Sequence, residues 1–484
     1  MHAQRETAIS STKKLCILVL LVMLTAGFSA AAERPAAKNV ILMISDGAGF
    51  NTFIAASYYQ HGELGKQVVD GFPAKFACTT TTLEDDGTPQ QYDPQARWGD
   101  FGWVMKHGLT NSAAAATALY TGRKVKGAPI AMESRKPLIT IGEIAKARGK
   151  SVGDVTTVYF SDATPGALAA HSISRVNRAE IANEMINGDT LDVLMGCGSQ
   201  EYDQNGKERP ADARKNYQRV GGKETLDALK AGTAGGRSPW TFIQTKADFE
   251  KLAEDPAPPR RVMGLPQCGD TLQDDRDGDR NADPFVVPLN TTVPSLATMA
   301  RGALNVLSRN PRGFFLMLEG GAVDQANHDN HAGRMIEEQV DFMNAVEAVV
   351  QWVDAHSSWD ETLVIITADH ETGFVWGPNA GAATDAHPVS WDPIQNHGKG
   401  NMPGCKYFSK DHTGALVPLF AKGRGSELFD RLVKGADPVY GRYVDNTDVF
   451  KVMNAEMGTG DLETPAAAGT TPSAATQPEP VLSR

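Results

Sequence analysis

Three short apolar runs each end on a residue able to ligate or react. Val40–Ile44 runs into Ser45-Asp46, Phe314–Leu318 into Glu319, and Leu363–Ile366 into Thr367-Ala368-Asp369-His370. Two weaker runs are Val155–Tyr159 and Val417–Phe420. Runs this short and this uniformly apolar read as buried strands. Between them lie helical patterns, clearest over 333–356, where Met335, Ile336, Val340, Met343, Val346, Val350 and Val353 share one face. The alternation predicts an α/β fold: a large, mainly parallel central sheet flanked by helices on both faces. Ligands of such sheets gather beyond the carboxyl ends of the strands, where these polar residues fall.

The first 32 residues read as a signal peptide rather than as part of the fold. Lys13 and Lys14 precede an apolar run, Leu15–Leu24, and small residues end at Ala32. The run is short for a membrane span, so no stable anchor is expected after cleavage. Cys16 lacks the small residue before it that lipid attachment would need. The expected location is the periplasm or the medium. Of 47 basic and 58 acidic residues, cleavage removes Arg5, Lys13, Lys14 and Glu6, leaving 44 and 57 and a net charge of −13. So acidic a chain is a poor nucleic-acid binder, and phosphate must be met by local positive charge. Export makes disulfides plausible among Cys78, Cys197, Cys268 and Cys405, with three full connectivities open.

The catalytic domain is expected over 33–456. Residues 200–290, rich in charge, Gly and Pro, read as an insertion with long loops. Residues 372–411 read as a small insertion able to cap a site, and 457–484 as a disordered tail. Asp275, Asp277, Asp279, Asn281 and Asp283 alternate as oxygen ligands do in calcium loops. The closing glutamate of an EF-hand is missing, so a solvated acidic loop is the expected reading.

The chemistry-bearing residues recur along almost the whole chain. Asp46 enters a Gly-rich turn, Ile44-Ser45-Asp46-Gly47-Ala48-Gly49. Ser112, in Thr110-Asn111-Ser112-Ala113, stands before an alanine-rich helix, where backbone N–H groups favour an anion. By itself such a serine is an ordinary helix cap. Asp162-Ala163-Thr164 offers a carboxylate and a hydroxyl, and Arg175 a fork for phosphate oxygens. Asp324 and His328 are four apart and so share a helix face. Carboxylate and imidazole suit zinc, and carboxylate oxygen suits magnesium. His331 lies near that face but reads as a surface histidine. Asp369-His370 and Asp411-His412-Thr413-Gly414 add further imidazoles. Each feature has a bland explanation alone; together they fit one assembled multi-metal site.

In order and spacing, Asp46, Asn111-Ser112-Ala113-Ala114, Asp162-Ala163-Thr164, Arg175, Glu319, Asp324–His328, Asp369-His370 and His412-Thr413-Gly414 resemble the bacterial alkaline phosphatase family. The resemblance spans residues 39 to about 423. It implies hydrolysis of small phosphate monoesters through a phosphoserine on Ser112, with two zinc ions and one magnesium ion. It places one zinc on Asp324, His328 and His412, and the second on Asp46, Asp369 and His370. Magnesium falls to Asp46, Thr164 and Glu319, with Asp162 orienting water on it. Arg175 becomes the phosphate clamp, and a homodimer is open.

Two positions depart from the family pattern. Asn111 stands where an aspartate is common, and Gln325 where a cation is common. Both changes predict a looser grip on phosphate, with Arg175 less firmly oriented. The competing readings are a phosphodiesterase of the same superfamily and a non-catalytic periplasmic phosphate- or metal-binding protein.

Overall fold

The computed structural model describes residues 36–459 and 462, apart from 214 and 237. Eleven strands form one sheet. In chain order they are β1 (Asn39–Ser45), β2 (Ala74–Thr79), β3 (Ser151–Tyr159), β4 (Val193–Cys197), β5 (Thr241–Ile243), β6 (Val262–Gly264), β7 (Phe314–Gly320), β8 (Thr362–Thr367), β9 (Val417–Gly423), β10 (Gly435–Asp437) and β11 (Gly441–Asp445). Their order across the sheet is β10-β11-β2-β9-β8-β1-β7-β3-β4-β6-β5. The central stretch from β8 to β5 is parallel throughout. Antiparallel pairs are confined to the other side, at β8–β9, β9–β2 and β10–β11.

The centre of the sheet explains the apolar runs. Every residue of β1, β7 and β8 is buried. A parallel strand covered on both faces has no polar side, so its sequence is a continuous apolar run rather than an alternation. The register sets β1 between β7 and β8, pairing Ile44 with Glu319 on one side and with Thr367 on the other. One end of the sheet therefore collects Asp46, Glu319, Asp369 and His370 within three adjacent strands.

Five helices matter for the site: α1 (Phe50–His61), α2 (Ser112–Thr121), α3 (Ala163–Ala169), α4 (Ala322–His328) and α5 (Ala332–His356). All ten residues of α2 are buried, and Gly122, at φ +68°, ends it with a left-handed turn. Helix α5 matches the sequence pattern, with Met335, Ile336, Val340, Met343, Val346, Val350 and Val353 all buried.

Three peripheral segments show structure of their own. Residues 200–290 carry two helices, Lys223–Lys230 and Lys246–Glu254, and the strands β5 and β6, which extend the sheet beyond β4. Strands of three residues are too short to leave a periodic signal. Residues 372–411 bring Phe374, Trp376 and Ala380 into a second apolar cluster with Phe101, Val104 and Ala415. Past 456, Met457 is buried and Leu462 packs on the core, so the ordered chain outruns the expected boundary. The rest of the expected tail and the expected signal peptide lie outside the described residues. Among the described residues, no helix is long and apolar enough to cross a membrane.

Candidate active site

Two acid–imidazole trios form beyond the ends of the central strands: Asp46, Asp369 and His370, and Asp324, His328 and His412. Within each trio the ligand atoms lie within 4.8 Å of one another. Asp46 follows β1 directly, and Gly47 takes φ +70° to turn the chain there. A Cβ on Gly47 would stand 2.6 Å from Asp324 Oδ1, so only glycine lets the turn pass beneath the second trio. Asp324 and His328 occupy successive turns of α4, which follows β7. His412 comes from a two-residue strand paired with Glu371–Thr372, next to His370.

The hydrogen-bond network fixes the imidazole tautomers. His328 Nδ1 donates to the Lys410 carbonyl, and His412 Nδ1 donates to the Thr110 carbonyl at 2.8 Å. Thr372 Oγ1 gives its proton to Asp324, so it accepts from His370 Nδ1 at 3.3 Å. Each ring therefore turns Nε2 inward. The Nε2 atoms of His328 and His412 face each other at 3.0 Å. Two bare lone pairs at that distance repel unless a cation or a proton lies between them.

The carboxylates point the same way. Asp46 Oδ1, Asp369 Oδ2 and Glu319 Oε1 are buried with no hydrogen-bond partner. Burial, then the charges of Asp369, Asp324 and Glu319, push the Asp46 carboxyl well up. Burial and nearby acids push Asp369 and Glu319 up as well. Burial also raises Asp324, yet the His328 hydrogen bond and the surrounding imidazoles outweigh it and hold its carboxyl below the usual range. Its hydrogen bond to Asp324 lifts His328 to about 9. So dense an acid cluster suits divalent cations, and the mixed oxygen and nitrogen donors suit zinc. Thr164, in the first turn of α3, donates to Asp46 Oδ2 at 3.3 Å, making an all-oxygen group with Asp46 and Glu319 that suits magnesium.

Ser112 is the first residue of α2 but does not cap it. Asn111 does, accepting from the Ala113 and Ala114 N–H groups at 3.0 and 3.3 Å. The Ser112 hydroxyl lies instead 3.2 Å from His370 Nε2 and 3.5 Å from Arg175 Nη1. It is 3 % exposed, at a helix N-terminus, against the buried trio.

Arg175 is oriented, contrary to the expectation drawn from Asn111. Its Nη2 donates to Asp162 Oδ1 at 2.9 Å. Burial works against the guanidinium charge, but Asp162 outweighs it and keeps that charge firmly in place. Asp162, expected to face magnesium-bound water, thus holds the arginine. The carboxylate missing at 111 is supplied from 162.

Similarity to known proteins agrees with this geometry. The family model for alkaline phosphatase matches residues 37–402. The chain belongs to the alkaline phosphatase family. Alkaline phosphatase 4 of Bacillus subtilis is 30 % identical, over 88 % of this chain and 95 % of its own. Streptomycin-6-phosphate phosphatase of Streptomyces griseus is 29 % identical, over 91 % of this chain and 95 % of its own. The cold-active alkaline phosphatase of Shewanella sp. shares the fold, with a TM-score of 0.60 at 24 % identity, over 87 % of this chain and 99 % of its own.

Within this alkaline phosphatase framework, several supporting residues escaped the sequence. Thr156 of β3 donates to Glu319 across the sheet, and Glu371 accepts from Thr413, joining the segments that carry His370 and His412. Asn327 Nδ2 holds the Gly47 carbonyl at 3.1 Å. Only the glycines after Asp46 hinted at this crowding. His331 stays outside both trios, with Asp329 at 3.8 Å. The acidic loop forms no third cluster among the described residues: Asp277 accepts from Asn205 and Asp275 from Arg280.

Proposed function

We propose that this chain hydrolyses phosphate monoesters to an alcohol and inorganic phosphate through a phosphoserine on Ser112. The observation that supports it is the Ser112 hydroxyl at a helix N-terminus, between His370 and Arg175 and beside two ligand trios. Asp324, His328 and His412 would hold one zinc, Asp46, Asp369 and His370 the other, and Asp46, Thr164 and Glu319 a magnesium. Bound there, the ions supply the positive charge that lowers the serine pKa and stabilises the leaving oxygen.

The chain's own groups do the rest. Arg175, braced by Asp162, forks onto two non-bridging oxygens of the phosphoryl group. The positive end of the α2 dipole, at Ser112, favours the same anion. Ser112 Oγ attacks phosphorus, forming the Oγ–P bond as the bond to the substrate's alcohol oxygen breaks, and the serine's proton ends on that departing oxygen. Water then attacks phosphorus from the opposite side, breaking the Oγ–P bond; one of its protons returns to Ser112 Oγ and phosphate is released.

Ser112→Ala tests this. Hydrolysis of p-nitrophenyl phosphate falls by about 10³-fold or more while bound zinc and magnesium are unchanged. Full activity in a metal-loaded Ser112→Ala protein overturns the mechanism. Rates on bis(p-nitrophenyl) phosphate separate the monoesterase from a phosphodiesterase. The reading includes export, which N-terminal sequencing checks by finding Glu33 first in the mature protein, and a homodimer, which light scattering checks.

A further inference from the structure

Cys197 ends β4, and Cys268 follows β6, the strand paired with β4 in the register Val193–Val262 to Met195–Gly264. Both side chains are fully buried, and their sulfurs lie 3.1 Å apart. Among the described residues they are the one cysteine pair in contact: Cys78 bonds the Thr79 carbonyl instead, and Cys405 is only partly buried. The backbones beside the pair are already tied, since Gly198 N–H donates to the Gly269 carbonyl at 2.7 Å. Closing the sulfurs to a covalent bond of about 2 Å needs a shift of about 1 Å. We propose that Cys197 and Cys268 form a disulfide when the chain folds in an oxidising compartment, stapling the outer edge of the sheet.

The surroundings accommodate the bond. In the reduced form Cys268 donates to Cys197, and Cys197 to the Thr157 carbonyl at 3.2 Å. Oxidation removes both S–H groups, yet Thr157 keeps a donor in the Leu272 N–H at 3.0 Å. No buried acceptor is orphaned. The two thiols give up two protons and two electrons to a disulfide oxidant such as glutathione disulfide, which becomes two thiols. The staple would anchor residues 268–272 against β3, where Thr271 bridges Val158. Strand β3 leads into Asp162 and Thr164, so the clamp bears on the sheet behind the site. It closes a loop between positions 71 apart, long enough for a large effect on the unfolded chain. Burial also pushes the Cys197 thiol well up, so its reactive thiolate is scarce once folded. The bond therefore forms during folding, before the edge strands close over it.

The full chain is refolded in a reduced/oxidised glutathione buffer and, separately, in excess reductant, then alkylated under denaturing conditions and mapped by mass spectrometry. The expected result is a linked Cys197–Cys268 peptide from the first preparation only, with Cys78 and Cys405 alkylated in both. The oxidised wild-type preparation should melt on the order of 5–10 °C above the reduced one, and a Cys197→Ala/Cys268→Ala double variant should melt alike from both. Alkylation of both cysteines in both preparations overturns the proposal, as does a link from either to Cys78 or Cys405. A linked protein that melts no higher than the reduced preparation overturns the stapling role.

Discussion

Asp46, Asp369 and His370 lie buried at the ends of two adjacent central strands. Asp324, His328 and His412, built from the same side-chain types, lie on a helix and a short strand nearer the surface. The side chain of His370 is 0 % exposed, that of His328 36 %. The inner trio is positioned by sheet register, so moving it means moving β1 or β8. The outer trio is positioned by one helix turn and by two loop carbonyls, those of Lys410 and Thr110. Chemically alike, the two trios should respond differently to damage.

The largest difference is expected from ligand removal. Asp369→Asn should cut turnover by on the order of 10³-fold, and added zinc should not restore it, because an amide in that buried cluster leaves its neighbours unbalanced. His412→Gln should weaken zinc affinity by more than the roughly 10–100-fold that loss of a supporting partner costs, and recover most activity in excess zinc. Activity measured against free zinc for both variants checks this, and equal recovery would erase the distinction.

A smaller effect concerns pH in chelated protein. In the folded state His328 is lifted from 6.5 to about 9 by Asp324, so its stabilisation is complete below pH 6.5 and is lost as pH rises towards 9. The raised carboxyls of Asp46, Asp369 and Glu319 act with the same sign, since the folded state binds more protons than the unfolded one. Thermal melts after chelation should therefore show Tm falling from pH 7 to 9. His328→Gln should flatten part of that fall. Zinc- and magnesium-loaded protein should show much less of it, and an apo protein that gains stability over this range would contradict the assignment.

The smallest effect is expected around Arg175. Asn111→Asp with Gln325→Lys should tighten inhibition by inorganic phosphate by only a few-fold, because Arg175 is already held by Asp162. Inhibition constants for wild type and the double variant decide it; unchanged or weaker inhibition in the variant would remove residues 111 and 325 from phosphate binding. Asp162→Asn should weaken inhibition more than the double variant tightens it.

The same contrast governs what the sequence made legible. Asp46, Glu319 and Asp369-His370 follow apolar runs, and buried parallel strands leave such runs, so these residues stood out one by one, while their grouping came only with the family resemblance. The Asp324–His328 spacing is a local helical signal and was equally plain. Contacts between distant segments left no trace: Thr156 on Glu319, Glu371 on Thr413, Asp162 on Arg175. Each depends on sheet register or loop path, which no local pattern encodes. Strands β5 and β6 were invisible because three residues cannot display a period.

Asn111 spends both ends of its amide. The oxygen receives the first N–H groups of α2, and Nδ2 donates to the Gly127 carbonyl at 2.8 Å. The next carbonyl along, Ala128, receives the Arg175 N–H at 3.0 Å. One small side chain thus gauges the gap between the segment that leads to Ser112 and the segment that receives Arg175. An aspartate could copy the helix half of that gauge but not the half that grips Gly127. Residue 111 works less as a neighbour of Ser112 than as the spacer that keeps serine and arginine in step.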